Sequence, residues 1–164
     1  SENKKYNWVN LMKKKFLVII DESKELGNAV YFAANRALHT DGKLSLLYVV
    51  DPAINAQWAK IENLIEQEAT SEAKKICRNW SQKIKERFKI DSEIIIKIGN
   101  RPEEVVKLLN QDQDIRFLVL ASAPNSDDPG PIIKALTGKK IKELSIPIVI
   151  VPGSLQEKDI DLIA

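Results

Sequence analysis

FLVLASAPNSDDPGPIIKAL, Phe117 to Leu136, decides the fold of this chain. An apolar run typical of a buried strand passes through a loop rich in proline, glycine and aspartate into an apolar helix pattern. In open α/β sheets, a strand–loop–helix unit of this kind often holds the phosphate of a ligand. Gly130 is the only glycine of the stretch, so the same residues favour a nucleotide-binding architecture and argue against the usual phosphate chemistry.

Length and composition indicate one globular domain. The 164 residues suffice for a single sizeable core, and 25 basic against 23 acidic residues give a net charge of +2, which implies neither nucleic acid nor an anionic membrane as partner. The apolar runs are far shorter than the roughly 20 residues of a membrane span. A lone cysteine and the lack of an apolar signal block in the first dozen residues suit a cytoplasmic location. We expect a domain over 14–153, with terminal extensions at 1–13 and 154–164.

Five short runs rich in Val, Ile and Leu alternate with amphipathic stretches, which predicts parallel strands covered by helices on both faces. The predicted strands are Phe16 to Asp21, Leu44 to Val50, Ser92 to Ile98, Phe117 to Ser122 and Pro147 to Val151. The predicted architecture is therefore α/β: a doubly wound, five-stranded parallel sheet in the order 3-2-1-4-5.

Four helices are predicted between the strands. The first, of about five turns, has Ser23 as N-cap and Asp41-Gly42 as its stop signal. The second and longest carries an apolar stripe from Ile61 to Phe88. The third opens at Arg101-Pro102, and the fourth opens near Pro131 and continues to Leu144.

The predicted strand order places a crevice beyond the carboxyl ends of strands one and four, where the winding of the sheet reverses. Asp21, Glu22 and Ser23 follow the first of these strands, and Ala121 to Gly130 follow the other. Asp51 follows strand two nearby. This crevice is the predicted ligand site.

The element order, VIIDES at Val18 to Ser23, LLYVVDP at Leu46 to Pro52 and the last third of the chain resemble the universal stress protein family over roughly 14–153. The resemblance implies an adenine nucleotide alpha hydrolase-like fold. In ATP-binding members an aspartate ending strand one and a valine near the end of strand two hold the adenine side. Asp21 and Val49 match them.

The phosphate side of those members uses the pattern G-x2-G-x9-G-(S/T) after strand four. Here its glycine positions fall on Ala121, Pro124 and Lys134, and its hydroxyl position falls on Ala135. Proline has no N–H to offer a phosphate, so we expect no binding of ATP in the family's usual manner.

Weaker binding of a nucleotide or an anion in the crevice remains an alternative. Ser122, Asn125 and Ser126 offer side-chain donors, Gly130 offers an unusual backbone angle, and Lys134 reaches from the helix. Asp127 and Asp128 argue against such binding, because they place two negative charges in the same loop and would repel a phosphate. The tentative nucleotide or anion crevice therefore consists of Asp21, Ser23, Val49, Asp51, Ser122, Asn125, Ser126 and Gly130.

No catalytic machinery is visible. The pair Asp21-Glu22 suits a phosphoryl-accepting receiver domain, but strand three ends in Ile98-Gly99 without an acceptor aspartate and strand five lacks the lysine. Asp21 has a second interpretation as a helix cap. His39, the only histidine, suits a helix C-terminus, and Cys77 lies in an apolar stripe, so we expect no metal site and no nucleophile.

The leading functional hypothesis is a cytosolic regulator of the universal stress type, acting through dimerisation and through binding of a small ligand or protein partner. The resemblance implies a homodimer through the last strand, Pro147 to Val151, and an unpaired apolar edge favours a partner on its own account. The alternative is an adenine-nucleotide switch with slow hydrolysis that uses Asp21 and the loop after strand four. A third hypothesis is an interaction scaffold with an empty crevice.

Overall fold

The computed structural model describes residues 14–53 and 64–164. Its five strands are β1 Lys15–Ile19, β2 Lys43–Val50, β3 Ser92–Ile98, β4 Ile115–Ser122 and β5 Ile148–Pro152. Its helices are α1 Leu26–His39, α2 Leu64–Phe88, α3 Arg101–Gln111, α4 Pro131–Thr137 and α5 Glu157–Ile163, with a 3-10 turn at Ile141–Glu143. The extension 1–13 and the predicted start of the long helix at Ile61 lie outside the described residues.

The strands form one parallel sheet in the order β3-β2-β1-β4-β5, as the sequence predicts. Leu17 of β1 lies opposite Ser45 of β2 on one side and Leu118 of β4 on the other. After β1 the chain crosses to one face of the sheet, and after β4 it crosses to the other. The carboxyl ends of these two neighbouring strands therefore flank an open crevice.

Alternation of side chains along the strands divides the core into two layers. Phe16 and Val18 of β1 face α1, α2 and α5, where Ala33, Cys77 and Ile160 are fully buried. Leu17 and Ile19 face α3 and α4. Both faces of β1 are thus covered, which is why its sequence is a continuous apolar run.

The first helix begins later than predicted. Ser23 is not its N-cap: α1 starts at Leu26, and Glu25 at the N-cap position makes no side-chain capping bond. The reason lies in Asp21, whose carboxylate accepts the Ser23 N–H at 2.9 Å and so closes a turn before the helix. The helix is accordingly about four turns long, one fewer than predicted.

The last predicted helix is shorter than its apolar pattern indicates. α4 ends at Thr137, and after Gly138 a separate 3-10 turn carries Ile141, which is 56% exposed. Gly138 breaks the helix because it costs more backbone entropy than other residues and exposes the helix end. The apolar residues beyond it therefore belong to a different element.

Residues 154–164, predicted as an extension, contain the helix α5, which packs on the body of the domain. Ile160 is fully buried, and the Arg87 guanidinium lies 3.0 Å from the Asp161 carboxylate. His39 Nδ1, at the end of α1, lies 3.0 Å from the Ala164 carbonyl oxygen. Over the described ranges, no helix combines the length and apolar character that a membrane crossing requires.

Candidate functional site

A cavity of about 460 Å³ opens at the carboxyl edge of the sheet, between the ends of β1 and β4. Its apolar lining comes from Ile19, Pro102, Ala121, Pro129, Pro131 and Ile132. Its polar lining comes mainly from Asp21, Glu22, Ser23, Glu25, Asp51 and Arg101. An apolar pocket with a few polar groups at its rim is the usual form of a small-molecule site.

Asp21 and Ser23 form one wall where the chain leaves β1. The turn closed by Asp21 Oδ1 and the Ser23 N–H fixes this wall. Asp21 Oδ2 has no hydrogen-bond partner among the described residues and lies at the cavity. One carboxylate oxygen therefore shapes the loop, and the other is available to accept a hydrogen bond from a ligand.

Asp51 ties the end of β2 to the start of α3. Its side chain is buried, and its two oxygens accept the Ala53 N–H at 2.9 Å and the Arg101 N–H at 3.2 Å. Asn100 caps the same helix by accepting the Glu103 N–H at 3.2 Å. Because both carboxylate oxygens of Asp51 already have backbone partners, its main role is to position Arg101 at the crevice.

Arg101 is the one cation that the described residues contribute to the cavity lining, and its guanidinium contacts three groups. Its Nε donates to the Val49 carbonyl oxygen at 3.3 Å, and its Nη2 lies 3.3 Å from both Glu22 carboxylate oxygens. The Tyr48 ring centroid lies 5.7 Å from the guanidinium carbon, within range of a cation–π contact. Tyr48 also donates its hydroxyl to Glu22.

This cluster shifts the ionisation of its members. Partial burial raises the pKa of Glu22, but the hydrogen bond from Tyr48 and the charge of Arg101 outweigh it and hold that pKa below its ordinary value. Burial, together with the hydrogen bond to Glu22, raises the pKa of Tyr48 far above that of a free phenol. At neutral pH Glu22 is therefore a carboxylate, and Tyr48 is a neutral phenol that donates to it.

The loop after β4 satisfies its own polar groups. Asp128 Oδ1 accepts the Gly130 N–H at 3.0 Å, and Asp128 Oδ2 lies 3.1 Å from Lys134 Nζ. Ser126 Oγ accepts the Asp128 N–H at 3.1 Å. The bond from Gly130 and the contact with Lys134 lower the pKa of Asp128, so it is an anion at neutral pH. A carboxylate of the chain thus occupies two donors that a phosphate would need.

The structure brings together half of the predicted crevice residues: Asp21, Ser23, Asp51 and Gly130 all line the cavity. Val49 is fully buried beneath it, and its carbonyl oxygen is engaged by Arg101. The other three, Ser122, Asn125 and Ser126, are outside the lining. The bond from the Ala123 N–H to the Pro129 carbonyl closes the loop at its base, and Asn125 and Ser126 are exposed on its outer part.

Arg101 and Glu25 are functional candidates that the sequence prediction of the crevice missed. Arg101 was interpreted only as the start of a helix. The position of Arg101 at the crevice was predictable, because the carboxyl ends of parallel strands share one edge of the sheet. The residues after strand three therefore lie at the same edge as Asp21 and Asp51. In the part of the chain that the structure describes, no group of three His, Cys, Asp or Glu side chains is arranged as a metal site.

Sheet order, crevice position and winding together define a doubly wound α/β domain. Residues 12–152 match the model of the universal stress protein family. The chain belongs to this family. A search of curated protein sequences finds no match.

Solved structures of the family share this fold. The universal stress protein UspA from Lactobacillus plantarum is 21% identical, with a TM-score of 0.65 over 84% of this chain and 97% of that one. The universal stress protein from Archaeoglobus fulgidus in complex with dAMP is 15% identical, with a TM-score of 0.53 over 85% and 98%. A universal stress protein in complex with cAMP is 18% identical, with a TM-score of 0.59 over 87% and 98%.

Proposed function

We propose that this protein is a cytoplasmic, non-catalytic regulator that binds a small adenine-containing ligand in the crevice and acts as a homodimer. The cavity between β1 and β4 is the observation that carries the proposal. Its volume of about 460 Å³ falls within the range of small-molecule sites. Its lining is apolar on the inside and has the acceptor Asp21 at its rim.

The adenine component of the proposal rests on two further points. Members of the family with the same fold form complexes with dAMP and cAMP. Asp21, which matches the aspartate on the adenine side of ATP-binding members, lines the cavity of this chain. Its unpartnered oxygen suits an N–H or O–H donor of a nucleoside.

The geometry gives less support to the alternative, a switch that binds and slowly hydrolyses a nucleoside triphosphate. Pro129 and Pro131 contribute no N–H at the cavity, and the Gly130 N–H is taken by Asp128. A transferred phosphoryl group needs positioned donors or cations around its oxygens. Lys134 of α4 is outside the cavity lining, and its side chain is paired with Asp128.

The homodimer is proposed through β5. This strand is one of the two edges of the sheet, and Ile150 at its centre is 43% exposed. Unpaired apolar edge strands are sites of association, and pairing with a second copy would satisfy the open backbone groups. A regulator of this type would transmit ligand binding through a surface shared by two subunits.

Mass spectrometry of small molecules released from the purified, denatured protein tests the proposal directly. We expect an adenine-containing compound in the released fraction and a thermal shift when that compound is added back. Asp21→Ala should abolish the shift, because it removes the carboxylate oxygen proposed to accept a hydrogen bond from the adenine-containing ligand. A stabilising response to ATP with magnesium, accompanied by release of ADP over time, would favour the switch instead.

A further inference from the structure

We infer that the crevice selects an uncharged adenine nucleoside over its phosphorylated forms. This inference rests on the proposed adenine binding and adds the charge of the ligand. It follows from the ionisable groups around the cavity and from the partners that each of them already has. The charges that follow β1 carry it, and the loop after β4 adds to it.

The wall formed by the β1–α1 loop is electronegative. Among the described residues of the cavity lining, four carboxylates, Asp21, Glu22, Glu25 and Asp51, stand against one cation, Arg101. Glu22 is paired with Arg101, and Asp51 is bound to two backbone N–H groups. Asp21 and Glu25 form no ion pair with any described residue. Two uncompensated negative charges therefore face the ligand.

Arg101 offsets this field only in part. Its side chain is only 13% exposed, its Nε and Nη2 groups are bound to Val49 and Glu22, and its charge is paired with the Glu22 carboxylate. A phosphate at the remaining Nη1 group would lie close to that carboxylate, so it would meet a nearby negative charge at the same guanidinium.

The loop after β4 already binds a carboxylate of its own. Asp128 accepts the N–H of Gly130, which lines the cavity, at 3.0 Å and contacts Lys134 Nζ, outside the lining, at 3.1 Å. The Gly130 N–H is therefore not available to a phosphate. A nucleoside without phosphate avoids both problems: its base and sugar fit the apolar lining, and its hydroxyl or amino groups donate to Asp21.

Isothermal titration calorimetry of the full chain with adenosine, AMP and ATP tests this selection. We expect adenosine to bind at least tenfold more tightly than AMP, and ATP to bind no better than AMP. The AMP affinity of the unmodified protein should rise as the salt concentration increases from about 50 to about 300 mM, because salt screens a repulsion. Adenosine affinity should stay constant over the same range.

The variant Glu25→Gln removes one of the two uncompensated charges, leaves the Asp21 acceptor in place, and should narrow the ratio of adenosine to AMP affinity. Circular dichroism checks the fold. Glu72→Gln on the exposed surface of α2 makes the same change in net charge away from the cavity and should leave the ratio unchanged.

The outcomes distinguish a failure of the charge selection from a failure of adenine binding. AMP that binds as tightly as adenosine, or AMP affinity that falls as salt increases, overturns the charge selection while leaving adenine binding intact. Absence of heat with all three compounds overturns adenine binding and the selection together. An unchanged ratio in Glu25→Gln also contradicts the assignment of the selection to the uncompensated carboxylates.

Discussion

Arg101 connects three elements at the crevice with one side chain. Its backbone N–H binds Asp51 after β2, its Nε binds the Val49 carbonyl oxygen, and its Nη2 pairs with Glu22 after β1. A guanidinium suits this position because its donors lie in a fixed plane and it stays charged when it is largely buried. Lysine would supply a charge without the planar set of donors, so the ends of β1 and β2 would lose part of their connection.

Glu22→Gln should lower stability at neutral pH and flatten its dependence on acid. The pKa of Glu22 is lower in the folded state, so its contribution is present above the unfolded pKa of about 4.3 and is lost as the pH falls through the folded pKa. The side chain is 60% exposed, so solvent limits the loss to about 1 kcal/mol or less. Urea unfolding at pH 7 and pH 3 measures it.

Two comparisons make the Glu22 experiment specific. Tyr48→Phe removes the hydroxyl that donates to Glu22 and should produce part of the same pH effect. Glu72→Gln changes an exposed carboxylate on α2 and should have no effect on the acid dependence. Equal stability losses for Glu22→Gln at both pH values would contradict the ionic origin of its contribution.

Cys77 should react with thiol reagents only when the domain opens. Its side chain is fully buried, and burial raises its pKa to about 11, so both access and the thiolate are lacking at pH 8. Labelling with a chromogenic disulfide reagent should be slow in buffer and should accelerate with urea. The denatured chain should release one thiol equivalent, since the sequence has one cysteine. Rapid full labelling of the native protein would contradict the buried placement.

At the level of elements, apolar periodicity predicted every strand to within about two residues of its ends, because long apolar runs determine where the buried strands lie. The predictions that differ from the structure concern single helix ends and short segments. Ser23 has the right chemistry for a cap, but Asp21 two residues earlier uses the Ser23 N–H to form a turn. The seven-residue helix α5 carries too few apolar residues to show a helical period, and its position depends on tertiary contacts of Ile160 and Arg87.

Gly130→Ala should destabilise the domain by about 1–3 kcal/mol through backbone strain alone. Gly130 has φ 114°, a conformation that residues with a Cβ rarely adopt, and an added Cβ would meet no atom within 4 Å. Gly27→Ala in α1 is the matched control, because its Cβ would make ordinary 3.7 Å contacts. The Gly27→Ala variant should raise the free energy of unfolding by about 0.5–1 kcal/mol. Equal effects in chemical denaturation would contradict the strained conformation of Gly130.

The helix α5 should contribute measurably to stability. Ile160→Ala should reduce the free energy of unfolding by about 2–4 kcal/mol, since the side chain is fully buried in the core layer of α1 and α2. Leu162→Ala, at a position that is 85% exposed on the same helix, should change it by less than about 0.5 kcal/mol. Thermal unfolding compares the two. Similar losses in both variants would mean that helix propensity, and not docking of Ile160, is responsible.

For the whole molecule, the sequence predicted the sheet order and the position of the crevice, because the handedness of crossovers leaves few ways to arrange five alternating strands. It did not predict how charges pair within the crevice. The contacts between Arg101 and Glu22, and between Asp128 and Lys134, depend on side-chain directions in loops. Family resemblance predicts where a ligand would lie, and the proposed charge selection depends on these pairings.

The proposed dimer through β5 gives the last prediction. Ile150→Lys places a charge at the centre of the exposed edge, and a charged edge strand resists pairing with another strand. Sedimentation should therefore show a dimer for the unmodified protein and a monomer with an unchanged circular dichroism spectrum for the variant. Leu162→Lys adds the same charge at an exposed apolar position on α5 and should remain dimeric. A monomeric unmodified protein at micromolar concentration, or dissociation by Leu162→Lys alone, would exclude β5 as the interface.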